Sequence, residues 1–135
     1  AHDCAEAVKA RNELADNMEN LCGKVEELLG GILEREKDAV IVLDPPRAGV
    51  ARSVLKLLLQ AQVKKIVMIS CDPATLARDL GILTGALIET ETGELVKASA
   101  LGVQPDGKYA IQTVEPFDMF PQTKHVETLV LLCRK

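Results

Sequence analysis

The run Ile66-Val67-Met68-Ile69-Ser70-Cys71-Asp72-Pro73 decides the fold class of this chain. Its four leading apolar residues predict a buried strand. Asp72 and Pro73 are favourable as the N-cap and the first-turn residue of a helix, which would carry Leu76, Ala77 and Leu80. Cys71 is therefore expected where a strand passes into a helix.

A similar unit precedes this one. Residues 39–43 are continuously apolar, which is typical of a strand buried on both faces, and Asp44-Pro45-Pro46 ends it. A helix with Ala51, Val54, Leu55 and Leu58 on one side follows. Strand, helix, strand and helix joined by short links predict an α/β fold with a mostly parallel sheet that helices cover on both faces.

Two helices are predicted upstream, one from Asp3 to about Asn17 and one with an apolar stripe from Val25 to Leu33. Downstream, residues 86–116 are predicted to be a β-rich insertion. It would contain a hairpin around Glu91 to Glu94, a turn at residues 105–107 and a strand over 109–114. Residues 126–133 supply the last strand.

Composition limits the class of protein. A chain of 135 residues with 47% apolar content can bury one core. Its longest apolar runs fall far short of the roughly 20 residues that a membrane helix needs, so we expect no membrane partner. Residues 1–8 lack the features of a signal peptide, so the expected location is cytoplasmic. Residues 1–38 carry 10 acidic and 5 basic side chains and residues 39–135 carry 10 and 11, which neither demands nor excludes a nucleic acid.

Four cysteines are too widely spaced for a zinc site or a dense disulfide framework, so no metal is expected. Cys4, Cys22 and Cys133 are predicted to be small core residues. Cys71 differs, because the helix expected after it would direct its positive end toward the sulfur and favour the thiolate. A thiolate is a nucleophile, so Cys71 is the candidate for covalent catalysis.

Two further segments contain candidate residues. Asp44 would lie at the carboxyl edge of the sheet near Cys71, where ligands gather, although an ordinary strand-ending turn explains it equally well. The run DMFPQTKHVE at 118–127 is a polar loop that leads into a strand whose second residue is Glu127. Phe117 and Phe120 could stack on a nucleobase, but core packing is the commoner use of such residues.

Three motifs together resemble a known family. DPPRAG at 44–49, SCDPATLARDL at 70–80 and DMFPQTKHVETLVLL at 118–132 are similar, in this order, to the RNA (uracil-5-)-methyltransferases of ribosomal and transfer RNA. The second motif is more similar to the ribosomal-RNA enzymes. The resemblance implies a Rossmann-like, S-adenosylmethionine-dependent class I methyltransferase fold whose last strand runs antiparallel beside the strand that ends at Cys71. It also implies RNA as the partner.

The same resemblance implies roles for individual residues. Cys71 would attack carbon 6 of uracil, Glu127 would accept the proton from carbon 5, and Asp44 would bind at the cofactor. Candidates for the substrate pocket are Arg47, Phe120 and His125.

The chain differs from the family in one feature. The glycine-rich cofactor loop of the family has no counterpart in residues 1–38, which predicts that residues 1–135 form the carboxyl-terminal part of one catalytic domain and could lack activity in isolation. Two alternatives stay open. One is an RNA cytosine-5 methyltransferase, against which the His125-Val126-Glu127 run argues, and the other is a non-catalytic module that binds RNA or protein.

Overall fold

The computed structural model describes residues 2–12, 17–36, 38–123 and 126–135. The elements in chain order are α1 (His2–Arg11), α2 (Val25–Arg35), β1 (Val40–Leu43), α3 (Arg52–Gln60), β2 (Lys65–Ser70), α4 (Pro73–Thr84), β3 (Leu87–Glu89), β4 (Leu95–Lys97), a 3-10 helix (Ala98–Leu101), β5 (Tyr109–Phe117) and β6 (Glu127–Arg134). None of the helices in these ranges is long and apolar enough to span a membrane.

The main sheet has four strands in the order β1-β2-β6-β5. β1 and β2 are parallel, as their crossover through α3 requires, whereas β6 is antiparallel to both β2 and β5. The last strand therefore runs antiparallel beside β2, as expected. The sheet is mixed rather than mostly parallel, because β5, at the end of the 86–116 segment, joins it as an edge strand.

The core lies between one face of this sheet and the helices. Val54, Leu55 and Leu58 of α3 are buried against sheet residues, as the helical spacing predicted. Those sheet residues alternate along their strands: Ile66 and Met68 on β2, and Val130 and Leu132 on β6. Tyr109 closes this core near the amino end of β2, with its hydroxyl 3.0 Å from Leu58 O and 3.1 Å from Val63 O. Burial raises the pKa of this tyrosine.

The prediction that β1 is buried on both faces is wrong. Val40 is 57% exposed and Val42 is 62% exposed, whereas Ile41 and Leu43 pack against the core. Only the face of β1 that carries Ile41 and Leu43 meets the helical layer. A continuous apolar run indicates that both faces of a strand can be buried. It does not show that other elements pack on both faces.

Residues 87–97 form a separate two-stranded antiparallel hairpin at the predicted turn. An ion-pair network joins it to α3: the Glu89 carboxylate lies 3.2 Å from Arg52 Nη1 and 2.9 Å from Lys56 Nζ. Arg52 also donates to Gly93 O at 2.6 Å. The lysine bond and the arginine charge hold the pKa of Glu89 below its usual range. The hairpin is thus attached to the same helix that forms the core.

At the amino end, α1 stops at Arg11, short of the predicted Asn17, which lies in a turn. Residues 13–16, part of that predicted helix, lie outside the described residues. The α2 helix is confirmed and its predicted stripe in part: Leu29 is buried and Leu33 packs against the core, whereas Val25 is 52% exposed. Cys4 and Cys22 are exposed, so their assignment to the core is wrong, while Cys133 is partly buried on β6.

Candidate functional site

Cys71 and Glu127 occupy adjoining positions at one end of the sheet. The last pair in the β2–β6 register is Ser70 with Thr128. Because the two strands are antiparallel, the residue after Ser70 and the residue before Thr128 lie at the same end of the β2–β6 ladder. Both Cys71 and Glu127 are partly exposed. A thiol and a carboxylate therefore share one accessible edge of the sheet.

A local hydrogen-bonded turn holds the backbone at Cys71. The Ser70 hydroxyl donates to Asp72 O at 3.1 Å, and the Asp72 N–H donates back to Ser70 Oγ at 3.2 Å. Ser70 is only 5% exposed, so solvent competes little for these bonds. The two contacts bracket Cys71 on both sides along the chain and fix the direction in which it leaves β2.

The helix start predicted after Cys71 is confirmed. Pro73 is in the first turn of α4, and the Asp72 carboxylate accepts a hydrogen bond from Thr75 N at 2.9 Å. This bond is the main reason that the pKa of Asp72 lies below its usual range, and the charge of Arg47 contributes less. The positive end of the α4 dipole thus lies two residues after Cys71, where it favours negative charge.

Asp44 lies at the same end of the sheet. It follows Leu43, which pairs with Met68 of β2, so both strands end toward one edge. Asp44 is exposed and contributes to a cleft of about 370 Å³. The cleft is lined by Val25, Glu26, Val42, Leu43, Asp44, Pro45, Pro46, Gly49, Val50, Ala51 and Val54. Its walls are mainly apolar, and Asp44 and Glu26 are its acidic groups.

The end of β5 and the loop after it present an apolar surface near the start of β6. Phe117 is 44% exposed, Met119 is 66% exposed and Phe120 is 51% exposed. Phe117 also pairs with Glu127 across β5 and β6, which places this aromatic residue beside the carboxylate. Of the two uses considered for these phenylalanines, core packing does not apply, because both are exposed. Residues of a β-edge with no layer above them remain open to solvent.

The remaining candidates differ in what the structure says of them. Arg47 is exposed in the loop after β1 and close enough to Asp72 for its charge to act on that carboxylate. His125 lies outside the described residues. Across the described ranges, no group of His, Cys, Asp and Glu side chains could hold a metal ion.

Arg78 and Asp79, on α4, were not singled out by the sequence. Asp79 is 1% exposed and bonds to the loop that follows Asp44. The sequence did contain a signal that could have pointed to Asp79. Leu76, Asp79 and Leu83 fall on one stripe of the helix, and a carboxylate among buried leucines needs polar partners.

A family model described as tRNA (uracil-5-)-methyltransferase matches residues 8–92, more than half of the chain. Among curated proteins, an uncharacterized RNA methyltransferase of Clostridium acetobutylicum is 41% identical over 128 residues, covering 94% of this chain and 23% of that protein. Another from Listeria innocua is 40% identical over 122 residues, covering 89% and 22%. The chain thus spans about a quarter of the length of these relatives.

The fold also matches a solved structure. The Pyrococcus abyssi tRNA (uracil-54, C5)-methyltransferase, in complex with S-adenosyl-L-homocysteine, superposes with a TM-score of 0.56 and 23% identity. The match covers 96% of this chain and 26% of that one. At this identity the likeness concerns the fold.

Proposed function

Because the chain belongs to the tRNA (uracil-5-)-methyltransferase family, we propose that the protein containing it methylates carbon 5 of a uridine in structured RNA. The observation that carries the proposal is the register of β2 and β6, in which Ser70 opposite Thr128 brings Cys71 beside Glu127. Residues 1–135 would be the carboxyl-terminal part of one catalytic domain, with residues 86–116 as an insertion.

Cys71 acts as the nucleophile. Carbon 5 of uracil is too weak a nucleophile to take a methyl group unaided. When the Cys71 thiolate forms a bond to carbon 6, the electrons of the 5,6 double bond move to carbon 5 and onto the carbonyl at carbon 4. Carbon 5 then becomes reactive toward an electrophilic methyl group. The position of Cys71, two residues before the first residue of α4, supports this role.

Glu127 acts as the base. After methylation, carbon 5 still carries its proton, and the thiolate cannot leave until that proton is removed. The Glu127 carboxylate accepts the proton, the electrons of the carbon–hydrogen bond restore the double bond, and the carbon–sulfur bond breaks to regenerate Cys71. These reaction steps require a base close to the nucleophile. The adjoining strand positions of Cys71 and Glu127 support this role for Glu127.

The cleft at the end of β1 fits the methyl donor. S-adenosylmethionine, when bound, supplies the methyl group as an electrophile attached to a sulfonium. The Asp44 carboxylate suits a cation or a donor group, and the apolar Val42 and Pro45 suit a flat heterocycle. These residues would hold part of the cofactor.

The target base would be flipped out of its stack into the pocket, as enzymes acting on bases require. Exposed Phe120 offers an aromatic face for it, and Arg47 a cation for phosphate or carbonyl oxygen. His125, two positions before the first residue of β6 in the sequence, stays a third pocket candidate. We propose ribosomal RNA ahead of transfer RNA on the resemblance of residues 70–80.

The direct test is nucleoside analysis. The complete protein is incubated with labelled S-adenosylmethionine and either ribosomal or transfer RNA from cells lacking the gene, and the RNA is digested. We expect labelled 5-methyluridine, mainly in ribosomal RNA, and none with Cys71→Ala. Labelled 5-methylcytidine would contradict the uridine assignment. No label in any RNA would support a non-catalytic module.

A further inference from the structure

The loop that follows Asp44 is fastened to the helix that follows Cys71. We propose that Arg78 and Asp79 are positioning residues, which fix the loop bearing Asp44 and Arg47 at a set distance from Cys71. This inference rests on the proposed function, because it explains how the two parts of one site are held in register.

Asp79 makes the central contacts. Its Oδ2 accepts a hydrogen bond from Val50 N at 2.7 Å, and its Oδ1 accepts from Arg78 Nε at 2.8 Å and Nη2 at 2.7 Å. With 1% of the residue exposed, the carboxylate is almost completely removed from water. A charge in that position is tolerated only because these donors compensate it.

Arg78 extends the contact to another residue of the loop. While its guanidinium faces Asp79, the same Nη2 also donates to Ala48 O at 3.0 Å. The planar, multi-donor guanidinium can hold a carboxylate and a carbonyl at once, and an ammonium has no such fixed geometry. The arginine therefore links helix and loop through a shape as well as a charge.

Thr75 joins these contacts to the start of the helix. We call the contacts of Thr75, Arg78 and Asp79 with the loop backbone the clamp. Its hydroxyl lies 3.1 Å from Arg47 O, while its backbone N–H donates to the Asp72 cap. Thr75, Arg78 and Asp79 are spaced i, i+3 and i+4, so they share one face of α4. That face meets the loop at three nearly consecutive backbone groups: Arg47 O, Ala48 O and Val50 N.

Gly49 shows how closely the loop approaches. Its φ is +81°, and a Cβ there would lie 2.5 Å from Arg78 Nη2 and 2.6 Å from Asp79 Oδ2. The absence of a side chain is thus a requirement of the clamp. The loop backbone from Arg47 to Val50 lies directly against α4.

The ion pair between Arg78 and the buried Asp79 is explained better by the positions that it fixes than by the stability that it adds. A well-packed apolar pair in such a place is often as stable or more stable. An arginine with two nitrogens on Asp79 Oδ1, and a carboxylate whose Oδ2 accepts from Val50 N, fix positions instead. A displacement of about 1 Å between reacting groups can cost on the order of 100-fold in rate.

The experiment uses the complete protein with Asp79→Asn and Arg78→Lys. Asparagine has one acceptor oxygen, so it cannot serve both Val50 N–H and Arg78. Lysine keeps the charge but loses the fork. The control is Tyr109→Phe, which also removes a buried polar group with backbone partners, but at the opposite end of the sheet.

We expect kcat for 5-methyluridine formation to fall about 10- to 100-fold in both variants, with KM for RNA changed less than about 3-fold. Tyr109→Phe should keep kcat within about 2-fold. Amide hydrogen exchange at Val50 should accelerate in Asp79→Asn and not in Tyr109→Phe.

Failures of the two proposals are distinguishable. If the wild-type protein makes no 5-methyluridine, the proposed function fails, and hydrogen exchange alone decides whether the clamp exists. If the wild type is active and Asp79→Asn matches Tyr109→Phe in kcat, the positioning role is overturned. Full activity in Arg78→Lys would contradict the role of the planar guanidinium, because it would show that a positive charge alone positions the loop.

Discussion

Ser70 of β2 lies opposite Thr128 of β6, and this pair is where the two strands stop pairing at the site. One residue further along one chain segment is Cys71, and one residue back along the other is Glu127. The register therefore joins a thiol and a carboxylate that are distant in sequence. In an antiparallel pair, a slip by one residue would send one of the two side chains to the opposite face.

Glu127→Gln should stop the reaction after methyl transfer. The amide cannot accept the carbon 5 proton, so Cys71 cannot be released and methylated RNA should stay bound covalently. Denaturing gel electrophoresis with mass spectrometry of the adduct measures this. Turnover should fall about 100- to 10,000-fold.

Glu115→Gln is the matched control, because Glu115 is an exposed carboxylate on the neighbouring strand β5. It should turn over normally and leave no adduct. If Glu127→Gln also turned over at the normal rate, another group would have to be the base.

Gly49→Ala should lower the free energy of unfolding by about 2 to 4 kcal/mol, because it combines an unfavourable positive φ with displacement of the Arg78–Asp79 pair. Urea-induced unfolding measures the change. Gly102→Ala separates the two effects, since Gly102 also has a positive φ, of +67°, but no atom of the described residues lies within 4 Å of its added Cβ. Its cost should be only about 1 kcal/mol. Equal losses in both variants would show that the close approach at Gly49 adds nothing.

Asp72→Ala should lower the melting temperature at neutral pH and much less in acid. The folded-state pKa of Asp72 is depressed, so its contribution is present above the unfolded pKa of about 4 and is lost as pH falls through the lower folded value. Thermal unfolding of wild type and variant at about pH 7 and about pH 2.5 checks this. Asp72→Asn should retain much of the cap at both pH values, because asparagine is also a good N-cap. A wild-type advantage over alanine that grows in acid would contradict the assignment.

The elements nearest the site were predictable because their signals are local. The apolar run before Ser70, the Asp72-Pro73 helix start and the spacing of Val54, Leu55 and Leu58 all depend on neighbours within a few residues. The antiparallel last strand came from the family resemblance, and the register then confirmed it.

The predictions that failed concern burial and contacts that depend on the surroundings of a segment and not on its own residues. The residues of β1 are apolar enough to be buried on both faces, but only Ile41 and Leu43 pack against the core, and Val40 and Val42 stay exposed. For Phe117 and Phe120 the sequence left core packing and stacking both open, and only the structure shows them exposed. The Asp79 contact with Val50 joins two segments whose proximity only the packed α/β layers determine.

Covalent trapping tests the central claim most directly. The complete protein is incubated with S-adenosylmethionine and substrate RNA that contains 5-fluorouridine, in which fluorine replaces the proton that Glu127 would remove. We predict a protein–RNA adduct that survives denaturation, with the nucleotide attached to the peptide bearing Cys71. Cys133→Ser should form it and Cys71→Ser should not. An adduct on another residue, or none from a protein that methylates ordinary RNA, would contradict the account.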